Sequence, residues 1–216
     1  MLKNVKGVIF DMDGLMLDTE TITYKNIKLI MKNMGHDLPF ETFKQTIGKR
    51  NVETSKFYKS IYGENLDCEK IRFECKIMFR EHIKNDGIPI KKGLFELLNH
   101  LKSKGIKCGV ATSTREESAK YSLDKAGITE YMDVLVYGDM VNNGKPAPDI
   151  FLKACELIGE NPTDCVGLED SYNGIRAVHN ANMKAIMVPD MLEATEEMKE
   201  KSYMIVDSLL DVINII

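Results

Sequence analysis

Residues 8–20, Val-Ile-Phe-Asp-Met-Asp-Gly-Leu-Met-Leu-Asp-Thr-Glu, constrain what this chain can fold into more than any other stretch. The apolar run Val8, Ile9 and Phe10 is too short for a helix, and it ends in two acids, Asp11 and Asp13, followed at once by Gly14. A buried parallel strand reads this way, as a continuous apolar run whose carboxyl end delivers polar groups to a crevice. An acid at a strand end also commonly caps the next helix. Taken alone, the stretch leaves a structural and a chemical reading open.

The segment after it is helical in pattern. Asp18 or Thr19 can cap a helix with apolar residues at Ile27, Ile30, Met31 and Met34, stopped by Gly35. Pro39 suits the first turn of a short second helix ending near Gly48. Asn51 can cap a third, with Phe57, Tyr58 and Ile61 on one side, and Asp67 a fourth, with a stripe of Ile71, Cys75, Met78, Phe79 and His82. Residues 18–87 are therefore expected to form a small helical bundle inserted after the first strand.

From Gly87 the texture changes to strand–helix alternation. Leu94, Leu97, Leu98 and Leu101 make a helical face closed by Gly105. Strands are predicted at 106–111, 134–137, 165–168, 185–188 and, at an edge, 203–206. Between them, Thr114 and Glu117 have the spacing of a capping box, prolines in Asn143-Gly-Lys-Pro-Ala-Pro start a helix with Ile150, Phe151, Ala154 and Leu157, and Ser171 opens one bearing Ile175 and Val178. This alternation implies an α/β fold, a doubly wound parallel sheet with helices on both faces, built from residues 1–17 and 88–216. Ligands of such sheets bind beyond the carboxyl ends of the strands.

Composition narrows the partners. With 216 residues, a net charge of −4 and 29% charged residues, the chain has the makings of a globular core and no general affinity for nucleic acid. No apolar run approaches the roughly 18 residues that span a bilayer, and the N-terminal run is shorter than a signal-peptide core. The five cysteines (Cys68, Cys75, Cys108, Cys155, Cys165) are odd in number and form no C-x-x-C pair, so a reducing cytoplasm is the expected setting. A monomer is expected.

Three of the expected strands end in polar residues that share one edge: Asp11 and Asp13, Thr112 and Ser113, Glu169 and Asp170. The Gly144-Lys145-Pro146 turn can reach the same edge. Carboxylates are the ligands Mg²⁺ prefers, and hydroxyls, helix-start amides and a lysine suit a phosphate. Singly, Lys145 reads as a surface lysine and Thr112 as a helix cap. Jointly, acids for a metal beside donors for an anion suggest phosphoryl transfer.

Asp11-x-Asp13-Gly14, Thr112, Gly-Lys145-Pro and Gly-Leu-Glu169-Asp170-Ser, in that order, resemble the four motifs of the haloacid dehalogenase superfamily of phosphotransferases, over nearly the whole chain. The resemblance implies a nucleophilic Asp11 that forms an aspartyl-phosphate, and Asp13 as general acid and then base. It implies Mg²⁺ held by Asp11, the Asp13 carbonyl and Asp170, with Glu169 as ligand or support. Thr112, the Ser113 amide and Lys145 are implied to hold the phosphoryl oxygens. The true dehalogenases lack the second aspartate, so Asp13 disfavours that chemistry.

Within the superfamily the chain resembles both β-phosphoglucomutases and phosphatases of small metabolites. The mutases carry a histidine where this chain has Thr23, and an arginine after the cap glycine where it has Gly48-Lys49-Arg50-Asn51. The expected function is therefore a Mg²⁺-dependent phosphatase of a sugar or nucleoside monophosphate, with a sugar-phosphate mutase as the alternative. A non-catalytic phosphometabolite-binding protein is a more distant one, disfavoured by the retained Asp11, Asp13 and Asp170. Thr19, Glu20, Thr23, Lys49 and Arg50 are the expected substrate contacts of the helical insertion. Arg72, Lys76 and Arg80 share a helical face that suits either solvent or an anion. No role in catalysis is assigned to His36, His82, His100 or His179.

Overall fold

The computed structural model describes residues 2–49 and 51–216. Two compact units emerge, one of the chain up to Asp18 together with Pro89–Ile216, the other Thr19–Ile88.

The first unit is a six-stranded, all-parallel sheet of β1 (Gly7–Phe10), β2 (Lys107–Ala111), β3 (Val134–Val136), β4 (Cys165–Glu169), β5 (Lys184–Met187) and β6 (Met204–Ile205). Their order is β3-β2-β1-β4-β5-β6. β1 is central, and the chain winds to one side of it and then to the other, which opens a crevice at the reversal. The strands read as continuous apolar runs because helices cover both faces. Ile9, Ala111, Val136, Cys165, Ala185 and Met187 form one core with Ile150, Phe151 and Ala154 of α7 (Asp149–Ile158), Ile175 and Val178 of α8 (Tyr172–Asn180) and Met198 of α9 (Glu196–Lys201). The alternate strand residues, among them Val8, Phe10 and Val110, point to the opposite face, where α5 (Leu94–Ser103) lies against β2 and α10 (Leu209–Val212). Leu94, Leu97, Leu98 and Leu101 of α5 are all 0–1% exposed, and each contributes about 1.5–3 kcal/mol by burial.

The second unit consists of α1 (Thr19–Asn33), α2 (Phe40–Lys44), α3 (Asn51–Tyr62) and α4 (Cys68–Asp86). α1 and α4 pack on each other. Asp67 caps α4 by accepting from the Lys70 amide at 2.9 Å.

Several expectations need correction. Ile61 and Leu157 face solvent, at 49% and 46% exposed, and Ile158 is buried in place of Leu157. The faces assigned by periodicity otherwise hold, with Tyr58 of α3 and Ile150, Phe151 and Ala154 of α7 all buried; only the margin of each stripe differs, where packing chooses among adjacent apolar residues. His82 does not continue a buried stripe: its Nδ1 lies 3.1 Å from Asp86 on the surface of α4. Arg72 is held by Ser55 at 2.7 Å and by Glu69. The Thr114–Glu117 capping box does not form. α6 (Glu116–Lys125) starts with Arg115 at its cap position and no side-chain cap bond, because the Thr114 hydroxyl is used elsewhere. The short helices α9 and α10 carry too little periodic pattern to be foreseen.

All five cysteines are free thiols, and only Cys75 is partly exposed. No helix of the described residues is long and apolar enough to cross a membrane.

Candidate active site

Register brings the acids together. Phe10 pairs with Val110 on one side and with Leu168 on the other, so the next residues, Asp11, Ala111 and Glu169, end three adjacent strands at one level. Neighbouring strands are ~4.8 Å apart, which sets side chains at that level in direct contact. The Asp11 amide donates to the Leu168 carbonyl at 3.0 Å, extending the ladder by one residue.

Beyond Asp11 the chain turns sharply. The Gly14 amide donates to the Leu17 carbonyl at 2.9 Å, and the Met16 and Leu17 amides return to the Met12 carbonyl at 3.0 and 3.1 Å. Gly14 has φ +86°, and a Cβ there would sit 2.9 Å from Asp170 Cγ. Both backbone sterics and the closeness of Asp170 therefore require glycine. This turn leaves Asp13 half-buried beside the end of β2. The Thr114 hydroxyl donates to Asp13 Oδ2 at 2.7 Å, and that of Thr112 lies 3.4 Å from the same oxygen. Thr112 in turn accepts from the Thr114 amide at 3.1 Å. Thr114 is thus a site residue that the sequence reading missed, since its spacing to Glu117 was indistinguishable from a helix cap. Ser113 is exposed at the same loop.

Lys145 organises the interior of the site. Its ammonium donates to Asp11 Oδ1, to Glu169 Oε1 at 2.6 Å and to the Ala111 carbonyl at 2.9 Å. An ammonium has three protons, so all of them are committed to the protein. It also lies 5.0 Å from the centre of the Phe151 ring. Burial alone would lower the Lys145 pKa, but the Asp11 and Glu169 carboxylates outweigh it and hold the lysine charged, above its ordinary value. Asp11 is 7% exposed. Burial pushes its carboxyl well above the usual range, Lys145 opposes this, and Glu169 and Asp13 add to it. No described residue donates to the second oxygen, Oδ2.

Glu169 is fully interior, 0% exposed, and both its oxygens are occupied. Oε1 meets Lys145, while Oε2 accepts from the Asp170 amide, the Ser171 amide and the Ser171 hydroxyl, each at 3.0 Å. Ser171 caps α8 through the Gly174 amide at 3.1 Å. The Glu169 carboxylate lies so close to α8 that any Cβ at Gly174 would overlap it.

Asp11, Glu169 and Asp170 can each offer a carboxylate oxygen within 4.8 Å of the others. Lys145 pairs with two of these acids, Asp11 and Glu169, so three clustered carboxylates outnumber the one ammonium among them, and two such charges ~4 Å apart repel by roughly 4 kcal/mol at an effective dielectric of about 20. An oxygen-only donor set with surplus negative charge fits a hard divalent cation.

The remaining expected contacts belong to the helical unit. Thr19, Glu20 and Thr23 lie in the first turns of α1. Lys49 is exposed, its ammonium 4.9 Å from the centre of the Phe57 ring. Arg50 lies outside the described residues.

A family model described as haloacid dehalogenase-like hydrolase matches residues 8–188. The phosphorylated carbohydrates phosphatase of Thermotoga maritima is 31% identical over 189 residues, 84% of this chain and 84% of that protein. The (DL)-glycerol-3-phosphatase 2 of Arabidopsis thaliana is 30% identical over 200 residues, 87% of this chain and 80% of that protein. Among solved structures, the β-phosphoglucomutase of Clostridium difficile is similar with a TM-score of 0.79 at 25% identity, covering 96% of this chain and 93% of that one.

Proposed function

Since the chain belongs to the haloacid dehalogenase-like hydrolase family and is a phosphoric monoester hydrolase, we propose that it is a Mg²⁺-dependent phosphatase of a sugar or nucleoside monophosphate, working in the cytoplasm through a phosphoryl group carried on Asp11. One observation carries this reading: Asp11 ends the central strand with one oxygen pinned by Lys145 and the other without a donor among the described residues. A carboxylate so oriented is a nucleophile with a defined direction of attack.

The steps follow from the chain's own groups. Asp11 Oδ2 attacks phosphorus in line, the P–O bond to the substrate breaks, and Asp13 gives its proton to the departing alkoxide. Asp13, now a carboxylate, takes a proton from water as the water attacks the phosphoryl group, which releases inorganic phosphate and restores Asp11. Thr112 and Thr114 hold Asp13 by one oxygen and so fix its rotamer. The Ser113 amide is a donor for the phosphoryl oxygens, and the Thr112 hydroxyl joins it by turning its single proton from Asp13, which Thr114 still holds. With its protons committed, Lys145 acts as a fixed positive charge beside the nucleophile. Asp11, Asp170 and the Asp13 carbonyl would hold the cation, and Glu169, saturated by its four donors, would support them. The cation, when bound, supplies charge neutralisation to the carboxylates and the phosphoryl oxygens.

Thr19, Glu20, Thr23, Lys49 and Arg50 of the helical insertion, acting as a cap, are assigned to substrate selection. The similarity to a β-phosphoglucomutase supports a sugar-phosphate mutase as a second reading; Thr23 and the Lys49-Arg50 pair weigh against it. Phosphate release across a panel of sugar, nucleotide and glycerol phosphates tests the phosphatase. β-Glucose 1-phosphate with a bisphosphate primer, coupled to glucose-6-phosphate dehydrogenase, tests the mutase. Inorganic phosphate without NADPH is expected. Rapid NADPH formation without phosphate would transfer the assignment to the mutase.

A further inference from the structure

The Asp13 side chain is held at the end of β2 by the Thr114 hydroxyl, but the turn that carries it lies beyond the strand ladder. Its backbone is tied instead to the segment where the chain re-enters the first unit. The Asp18 amide donates to the Pro89 carbonyl at 2.9 Å, Leu17 forms an antiparallel bridge with Ile90, and the Lys91 amide donates to the Met16 carbonyl at 3.0 Å. Leu17 also bridges back to Asp13 itself. The backbone position of Asp13 therefore depends in part on what holds residues 89–91. The next residues lead into α5, but at Lys91 the chain is still irregular.

The Lys91 side chain supplies a hold. Its ammonium lies 2.5 Å from Asp190 Oδ1, with the two side chains 25% and 16% exposed. Asp190 stands in the loop after β5, and the start of that loop is joined to the site by the Val188 amide, which donates to the Glu169 carbonyl at 2.8 Å. The other oxygen, Asp190 Oδ2, is buried without a hydrogen-bond partner among the described residues. A buried carboxylate oxygen without a donor is costly, so the ion pair with Lys91 is the compensation that keeps Asp190 in place. The pair lies 99 residues apart in sequence and has no part in the core.

We infer that Lys91 and Asp190 are positioning residues for catalysis: their ion pair clamps the 89–91 segment, and through its backbone bonds to Met16, Leu17 and Asp18 it fixes the turn that presents Asp13. The inference rests on the proposed role of Asp13 as proton donor for its kinetic consequence, but not for its structural one. Loss of the clamp lets the turn move relative to Asp11 and Glu169, which are held separately by the strand ladder and by Lys145. Nucleophilic attack survives, and proton delivery to the leaving group suffers.

The test compares the unsubstituted 216-residue chain with Lys91→Met, Asp190→Asn and Lys91→Arg. Amide hydrogen exchange reads the clamp directly. In Lys91→Met and Asp190→Asn the amides of Gly14, Leu17, Asp18 and Lys91 are expected to exchange at least tenfold faster, while those of β1 and β4 are unchanged; Lys91→Arg retains protection. The rate of phosphoryl transfer from an alkyl or sugar phosphate is expected to fall about tenfold in the two unclamped variants, against less than threefold with p-nitrophenyl phosphate, whose leaving group needs little proton assistance. Unchanged exchange at those four amides, or faster exchange spread evenly over the sheet, would overturn the clamp. Faster local exchange with equal kinetic loss on both substrates would leave the clamp standing and count against Asp13 as the proton donor.

Discussion

At the carboxyl ends of β1, β2 and β4, Asp11, Thr112 and Glu169 are no more than 7% exposed, and each is held by register or by named donors. In the helical unit, Val52 and Phe73 are each 66% exposed, and Ile77 of α4 is 43% exposed. The first region resists substitution. A changed atom at Glu169 disturbs Lys145, Ser171 and the start of α8 at once. The second has side chains that solvent can replace. Chemistry is fixed where packing is closed, and the freedom to vary contacts lies where it is open.

The sharpest break in that comparison comes from the nucleophile. Asp11→Asn keeps the shape of the side chain and removes the charge that attacks phosphorus. Activity should fall on the order of 10⁴-fold or more, as for other nucleophiles that act within a unit, with a melting temperature no lower than wild type, since a buried carboxylate raised by desolvation has been removed. Steady-state phosphate release and a thermal melt check both halves.

Asp13→Asn comes next, with a loss of about 10²–10⁴-fold on alkyl phosphates. Single-turnover formation of the phosphoryl-enzyme should be far less affected with p-nitrophenyl phosphate. Equal slowing with both substrates would count against Asp13 as the acid.

Metal and pH give a smaller effect, with a definite sign. Folded Asp11 binds its proton more tightly than the unfolded residue, whose ordinary value is 3.8. In metal-free protein its favourable contribution is therefore intact below that value, and it is lost as pH rises through the raised folded value. Lys145 is raised above 10.5, so its contribution persists across the neutral range and is lost only at the alkaline end. A cation competes with the Asp11 proton. Mg²⁺ should thus raise the melting temperature more at pH 8 than at pH 5.5, and EDTA should remove the difference. The reverse order would contradict the assignment of Asp11 to the cation.

Smallest of all is the effect in the open region. Phe73→Ser on the surface of α4 should change stability by no more than about 0.5 kcal/mol and leave turnover of p-nitrophenyl phosphate unaltered, by chemical denaturation and by assay.

How much of this could be read in the sequence follows the same division. The sheet and the Asp11, Thr112, Lys145 and Glu169 cluster were legible because period, strand ends and motif spacing agree there. Ile61 and Leu157 are exposed because each stands at the margin of an apolar stripe, where pattern alone does not say which residue packing will cover. Thr114 was missed because a threonine ahead of a helix carries the same local signal whether it caps that helix or, as here, reaches 2.7 Å across to Asp13. The Lys91–Asp190 pair, 99 residues apart, leaves no local signal at all.

The central claim is a phosphoryl group carried on Asp11. It is tested most directly by acid-quenching the enzyme milliseconds after mixing with substrate and mapping the adduct by mass spectrometry after borohydride reduction of the acyl phosphate. The account predicts modification at Asp11, absent in Asp11→Asn and accumulating in Asp13→Asn with p-nitrophenyl phosphate, where attack proceeds but the base for hydrolysis is gone. Full phosphatase turnover with no adduct at Asp11 under any of these conditions, or an adduct on a different side chain, would contradict it.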